Sequence, residues 1–522
     1  MSAYTLIKKL CFTGLLFTSF SLLAQQVKKI DCCKDINAKA TIIINDNSVS
    51  VGTGTAASTA NASFNFELTG SVNTSAGVYN TDGNLVRTLW GGVRYDAGCY
   101  LGQWDGLLDD GTQAPYGNYT VKVLTNNVQY TWEGVIGNNI KNGYHQFGGW
   151  GPMTFSGSYG YLGDSFAEGG ISLHYFSISD PQTINGVDIG LSAIITSVAA
   201  DDKLVYWACG NQYETPQGNF IVATKISDNT NFVFTSGINH ASGRGATTQN
   251  SVIGYATGGQ NTINSIAVQR NGNYLFGARG DTLISYDKTS GSRVKQFILP
   301  DHVGASRLAA DNSALWAIVG THVRKYMIAS DGSLSDPGIE LSGLLAPVSL
   351  AVNSDNSLIS VCDNGTSQVK SYSVTNTSLA WTLGQLNGYV GAPAYADDKF
   401  AFTAENYGNS NIAYQSDNSF WVHCTGEYRV KCFNPDRSYK RFIAYVPSSR
   451  SSVANVNNPT RVFADELEFE RDYSKTLTQG TDNGWKLKNV WTPGTDLDIY
   501  GKFKNIATLS NGHTYAIGSN GN

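Results

Sequence analysis

Short apolar runs, each closed by an Asn/Asp/Gly turn, recur along most of this chain, and they predict β-strands throughout. The clearest unit is Ser416-Asp-Asn-Ser-Phe-Trp-Val-His-Cys-Thr-Gly-Glu-Tyr-Arg-Val-Lys-Cys-Phe433. Asp417-Asn418 supplies a turn, Phe420 to Cys424 an apolar strand, Gly426 a second turn, and Tyr428 to Phe433 an alternating strand. Equivalent turns stand at Asn271-Gly272, Asp311-Asn312 and Asp355-Asn356, with Tyr286, Tyr326 and Tyr372 matching Phe433. The turn-to-aromatic distances are 15, 15, 17 and 16 residues, so the pattern is a repeat.

A unit of about 40–50 residues with three or four short strands has the size of a propeller blade. A blade is covered on both faces, which explains why Leu275-Phe276, Leu315-Trp-Ala-Ile318 and Leu358-Ile359 are continuously apolar. Weaker copies run from Met153 to Phe176, from Ala199 to Lys225 and from Val462 to Trp491, which predicts seven or eight blades. The stretches 226–262 and 381–410 are too long for blade turns and are expected to cover one face of the disc. The final block starts at Asn511-Gly512, leaving its third strand to be supplied by Tyr130 to Ile136 or to lie outside a fragmentary sequence.

The third strands Val323-Arg-Lys-Tyr326, Val369-Lys-Ser-Tyr372 and Arg429-Val-Lys-Cys-Phe433 resemble the closing half of the NHL-type propeller repeat. Arg429 keeps that family's usual basic residue, whereas His322 and Gln368 replace it.

Ahead of the array, Phe64, Phe66 and Leu68 alternate, and Asp82-Gly83 divides two apolar runs as a hairpin turn. Val78-Tyr79, Leu85-Val-Arg-Thr-Leu89, Trp104-Asp-Gly106, Asp109-Asp-Gly111 and Pro115-Tyr-Gly-Asn-Tyr119 follow. This segment resembles the immunoglobulin-like domain of the flagellar hook-capping protein family, a resemblance that implies a structural β-sandwich without catalytic residues. Asp105, Asp109 and Asp110 fit as caps of glycine turns, with a calcium site as the alternative. No other cofactor is expected.

The fold expectation is therefore all-β: signal peptide 1–24, linker 25–61, Ig-like sandwich 62–128, propeller 129–522 with a last blade open to being incomplete. Lys8-Lys9 followed by apolar Leu10 to Leu23 and the Ala24-Gln25 junction form the leader, and no later run is long enough to span a membrane. The expectation is a secreted or cell-surface protein. Net charge is −5, or −7 once Lys8 and Lys9 leave with the leader, and the basic residues are scattered; nucleic acid is not an expected partner. An odd set of seven remaining cysteines is no disulfide framework. Cys362 and Cys424 share one repeat position, which favours packing, and Cys424 could bridge Cys432 within a hairpin.

Candidate chemistry is thin. The seven histidines show no metal-binding spacing, and there is no nucleophile elbow or phosphate-cradling loop. His145, Asp164, Glu168 and His174 hold the residue types a lyase or hydrolase needs. Tyr389, Tyr395, Asp397 and Asp398 hold those that stack on and hydrogen-bond a sugar, with ordinary loop composition as the plain alternative. The favoured function is a noncatalytic scaffold or binding protein that presents a propeller face to a glycan or an extracellular protein. A propeller-type polysaccharide lyase or glycoside hydrolase is the alternative.

Overall fold

The computed structural model describes residues 27–31, 39–44, 62–127, 131–141, 149–165, 170–211, 217–241, 249–258, 262–402, 410–445, 452–455, 457–477, 484–491, 503–509 and 511–518. The chain divides into two compact units, Met1–Trp132 and Glu133–Asn522. No helix among the described residues is long and apolar enough to cross a membrane.

The first unit is a sandwich of two antiparallel sheets. Its strands are β1 (Lys28–Ile30), β2 (Lys39–Ile44), β3 (Ala62–Leu68), β4 (Val72–Tyr79), β5 (Leu85–Tyr95), β6 (Gly98–Trp104) and β7 (Gly117–Asn126), in the orders β1-β6-β3 and β2-β7-β4-β5. Alternation on β3 puts Phe64, Phe66 and Leu68 inward against Val78, Tyr100, Trp104, Tyr119 and Val121. Gly83 takes φ 82° in the β4–β5 turn, a conformation that suits glycine. The expected linker is corrected here. Residues 28–30 and 39–44 are strands that pair with β6 and β7, because Ile42-Ile43-Ile44 suits a strand and β7 would otherwise be a bare edge. Cys99 is disulfide-bonded to a partner outside the described residues.

The second unit is the propeller. Six antiparallel sheets cover residues 150–186, 194–257, 263–298, 305–340, 347–383 and 411–444, numbered blades 1 to 6 here. Their innermost strands, Trp150–Ser156, Ile194–Ala200, Ile263–Val268, Ala305–Ala310, Pro347–Val352 and Asn411–Tyr414, pack each beside the next, and the last beside the first. The ring therefore closes at six sheets rather than the expected seven or eight. Closure is by packing: Phe155 and Phe176 of blade 1 meet Trp421 of blade 6. A clasp crosses the seam, where Asn139 exchanges two hydrogen bonds with Ala444, at 3.1 and 2.7 Å, and Lys141 N donates to Gln182 O.

The repeat landmarks fall where the spacing predicts. Tyr286, Tyr326, Tyr372 and Phe433 are all buried, and Asp311, Asp355 and Asp417 each accept from a backbone N–H two residues on. Two expectations about the excursions change. Within 226–262, the strand Gln249–Thr257 becomes the partner of Gly218–Lys225 in blade 2. The segment 384–402 instead carries a further four-stranded sheet, 452–490, through Tyr395 N to Lys488 O and Val490 N to Pro393 O.

That extra sheet holds the Val462 to Phe469 and Trp485 strands expected of another blade. It lies outside the ring, packed on Tyr389 and Ala401. Residues 131–136 are not strand. Glu133 meets Arg471 and the Trp485 indole of the extra sheet, so this segment does not complete the last hairpin. That hairpin, Phe503–Thr508 with Thr514–Gly518, repeats the register and first-strand bulge of the inner pair of blade 3, yet its second strand stands open. Tyr515 and Ile517 are 51% and 54% exposed, where the matching Phe276 and Ala278 of blade 3 are 0%.

Candidate functional site

An antiparallel meander places its second-to-third-strand turns and its sheet-to-sheet links on one face of the disc, and the other turns on the opposite face. The link face collects the residues singled out from sequence. Asp164 ends the second strand of blade 1 and His174 lies in the third strand beside it, so antiparallel pairing brings them together. His174 Nε2 is 2.9 Å from Asp164 Oδ2, and neither side chain has any solvent exposure. Burial drives the Asp164 carboxyl up to about pKa 6, with the His174 charge and hydrogen bond opposing. His145 and Glu168 lie outside the described residues.

The proposed sugar platform is a buried junction instead. Tyr389 is only 2% exposed and donates its hydroxyl to Glu427 Oε2 at 3.0 Å. Glu427 pairs with Lys431 at 2.8 Å, both fully buried, and Lys431 Nζ also donates to Lys399 O at 2.7 Å. Tyr395 donates to Asp397 and lies under the Arg429 guanidinium, 4.7 Å from its ring centre. Asp398 accepts from Gln385. The loop reading failed for a physical reason: 384–402 joins two sheets, and its aromatics fill the joint rather than facing water.

Asp105, Asp109 and Asp110 are separately engaged. Asp105 pairs with Arg87 at 3.2 Å, Asp109 accepts from Thr88 N at 2.8 Å, and Asp110 accepts from Thr112 N and Oγ1. Among the described residues no three His, Cys, Asp or Glu side chains converge. Cys362 and Cys424 are buried and free, as is Cys432. Cys424 stands opposite Arg429 while Cys432 stands opposite Trp421, so the pair is out of register for the suggested bridge.

The feature that sequence reasoning missed is the central channel, a cavity of about 120 Å³ formed by the six inner strands. The described residues of its wall are mainly small and aliphatic, and no Asp, Glu, His, Lys or Cys is among them. Its ionisable side chains are Arg270, Arg307 and Tyr414; the Tyr414 hydroxyl is hydrogen-bonded to Ser360, and burial pushes it up to about 12.

Three of the six inner strands share a rule. Directly after a bulge, Ser197, Ser265 and Ser349 accept from the backbone N–H of Ile266, Leu308 and Ile412 on the following blade, at 3.0, 3.0 and 3.1 Å. Blade 4 has Arg307 at that position. Aligning inner strands on the residue that closes each first turn, Asp201, Gln269, Asp311 and Asn353, puts Ser197, Ser265, Arg307 and Ser349 four places before it and would have exposed the exception. The turn-to-aromatic ruler starts after it.

Residues 49–129 match the family described as the FlgD Ig-like domain, in agreement with the resemblance drawn from the Asp-Gly turns and Trp104. No curated protein matches the chain. Among solved structures, one similar chain is a protein from Lactobacillus plantarum, 12% identical, spanning 65% of this chain and 97% of that one with a TM-score of 0.36. Another belongs to the nidogen/laminin complex, 11% identical over 54% of this chain and 92% of that one, TM-score 0.36. The assignment of this protein as an Ig-like sandwich plus a β-propeller accordingly rests on its own strand order.

Proposed function

We propose that the protein is an exported, noncatalytic binding protein whose propeller takes a glycan at the channel. The observation that carries this is the channel wall: its described residues offer small side chains and arginine donors, and among them is no carboxylate, imidazole or thiol to move a proton or attack a bond. The described His–Asp pair is fully buried, so a polymer chain could not reach it. Export is read from the leader, with its Lys8-Lys9 pair and apolar core.

The deciding experiment presents the purified chain to a glycan array and, in parallel, to a panel of soluble polysaccharides. Saturable binding without new reducing ends or unsaturated products is the expected result. Release of either product would overturn the reading in favour of a hydrolase or lyase.

A further inference from the structure

Arg307 interrupts the serine rule of the inner ring. At the matching place in blades 2, 3 and 5 a hydroxyl ties one blade to the next, whereas blade 4 sends a guanidinium to the channel wall. One of its nitrogens, Nη1, is steadied by Ser306 O at 2.7 Å and more distantly by Asn264 O at 3.5 Å. Among the described residues no carboxylate pairs with it, and its Nη2 edge has no protein acceptor. Arg270 also lines the channel, just past the end of the blade 3 inner strand, and among the described residues its guanidinium has neither an ion pair nor a hydrogen bond. Other arginines of this protein behave differently: Arg87, Arg324, Arg461 and Arg471 each meet an Asp or Glu.

Burial lowers the pKa of both channel arginines, and no acid raises either back. Guanidinium stays protonated nonetheless. The channel wall therefore carries two desolvated positive charges with no described acid opposite them, a cost that an incoming anion would relieve. Arg307 lies near the link face and Arg270 near the opposite face. Five strand positions separate their levels, roughly 16 Å along the axis. No single oxyanion group can touch both guanidinium groups at that separation, so each charge acts as a separate contact.

We propose that the channel is a binding site for an oxyanion group, with Arg307 and Arg270 as the two anchors. This deepens the binding-protein reading, on which it rests, by naming an acidic sugar unit as the class of glycan. A free oxyanion such as phosphate has the same chemistry, because a guanidinium fork donates to either in a bidentate manner.

The test is calorimetric titration of the full chain with three probes: trigalacturonate, inorganic phosphate and uncharged galactotriose, each in low and high salt. Arg307→Ser restores the ring serine and gives Leu350 N–H an acceptor, so its melting temperature should equal or exceed that of the parent. Lost binding in that variant is then no folding defect. Trigalacturonate is expected to bind in low salt and weaken in high salt, with Arg307→Ser costing about tenfold or more in affinity. Arg270→Gln should add its own loss, since contacts this far apart behave additively.

Trigalacturonate binding that phosphate does not displace assigns the site to a sugar carboxylate. Equal, arginine-dependent binding of phosphate assigns it to the free ion, and both outcomes sustain the oxyanion site. Failure of both anions to bind, or affinities unchanged in the double variant, overturns it. Galactotriose binding that ignores the substitutions would leave the glycan-binding reading standing while removing the oxyanion site. Anion binding without any hit on the glycan array would do the reverse.

Discussion

Lys431→Met should open the propeller from its most deeply buried charges. Lys431 and Glu427 form a 2.8 Å pair in which both side chains are 0% exposed. The ammonium also donates to Lys399 O, while Tyr389 donates to the carboxylate. Methionine replaces the lysine stem with little change in packing, so cavity terms are small. The loss is electrostatic: Glu427 keeps one phenol donor and no cation, and breaking a buried pair from one side costs about 3–5 kcal/mol. Combining Lys431→Met with Glu427→Gln removes the stranded charge, and the double variant should be less damaged than the sum of the singles by about 1–3 kcal/mol.

Urea titration gives the global figure. Amide hydrogen exchange of peptides within 411–444 reads blade 6 alone, which keeps opening of the N-terminal unit out of the measurement. A Lys431→Met loss below about 1 kcal/mol, or strict additivity in the double variant, would refute the claim that the link-face junction is held by this pair.

Asp164 predicts a pH trend. Its folded pKa of about 6 lies above the ordinary aspartate value of 3.8, so folding favours the protonated form; stability from this group is full below the lower value and is lost as pH rises through the higher one. Melting between pH 4 and 7 should show that fall, and Asp164→Asn should flatten it. Ser265→Ala strands the buried Leu308 N–H and should cost about 1–3 kcal/mol in urea melts; an unchanged midpoint would mean the ring stitches add nothing. Burial raises the Cys209, Cys362 and Cys424 thiols, so a thiol reagent followed by peptide mapping should label them only after denaturation.

The architecture was legible wherever one local rule generated it. Asp417-Asn418, Asp355-Asn356 and their closing aromatics mark blades because a tight turn and a doubly buried strand each demand a narrow set of residues. The ring number was not legible. The 452–490 sheet is built from the same kind of strands as a blade, and what excludes it from the ring is its attachment to 384–402, a contact remote in sequence. Asp164 and His174 could be picked by residue type, but their complete burial depends on tertiary packing. Tyr389 and Tyr395 misled because aromatics beside carboxylates look alike in an exposed loop and in a sheet-to-sheet joint. Arg307 was in plain view as a break in a serine pattern, yet that pattern means something only once inner strands are known to touch.

The closing hairpin has a practical bearing on handling this protein. Its second strand, Thr514–Gly518, carries no charge, pairs on one side only among the described residues and shows Tyr515 and Ile517 to water. Such an edge recruits other extended strands, so colloidal behaviour should be set by these few residues more than by the net charge of −5. Light scattering should show self-association growing with protein concentration, and Ile517→Lys should suppress it without touching the ring. Five residues at the rim of the fold would then decide how concentrated a solution of the whole molecule can be kept.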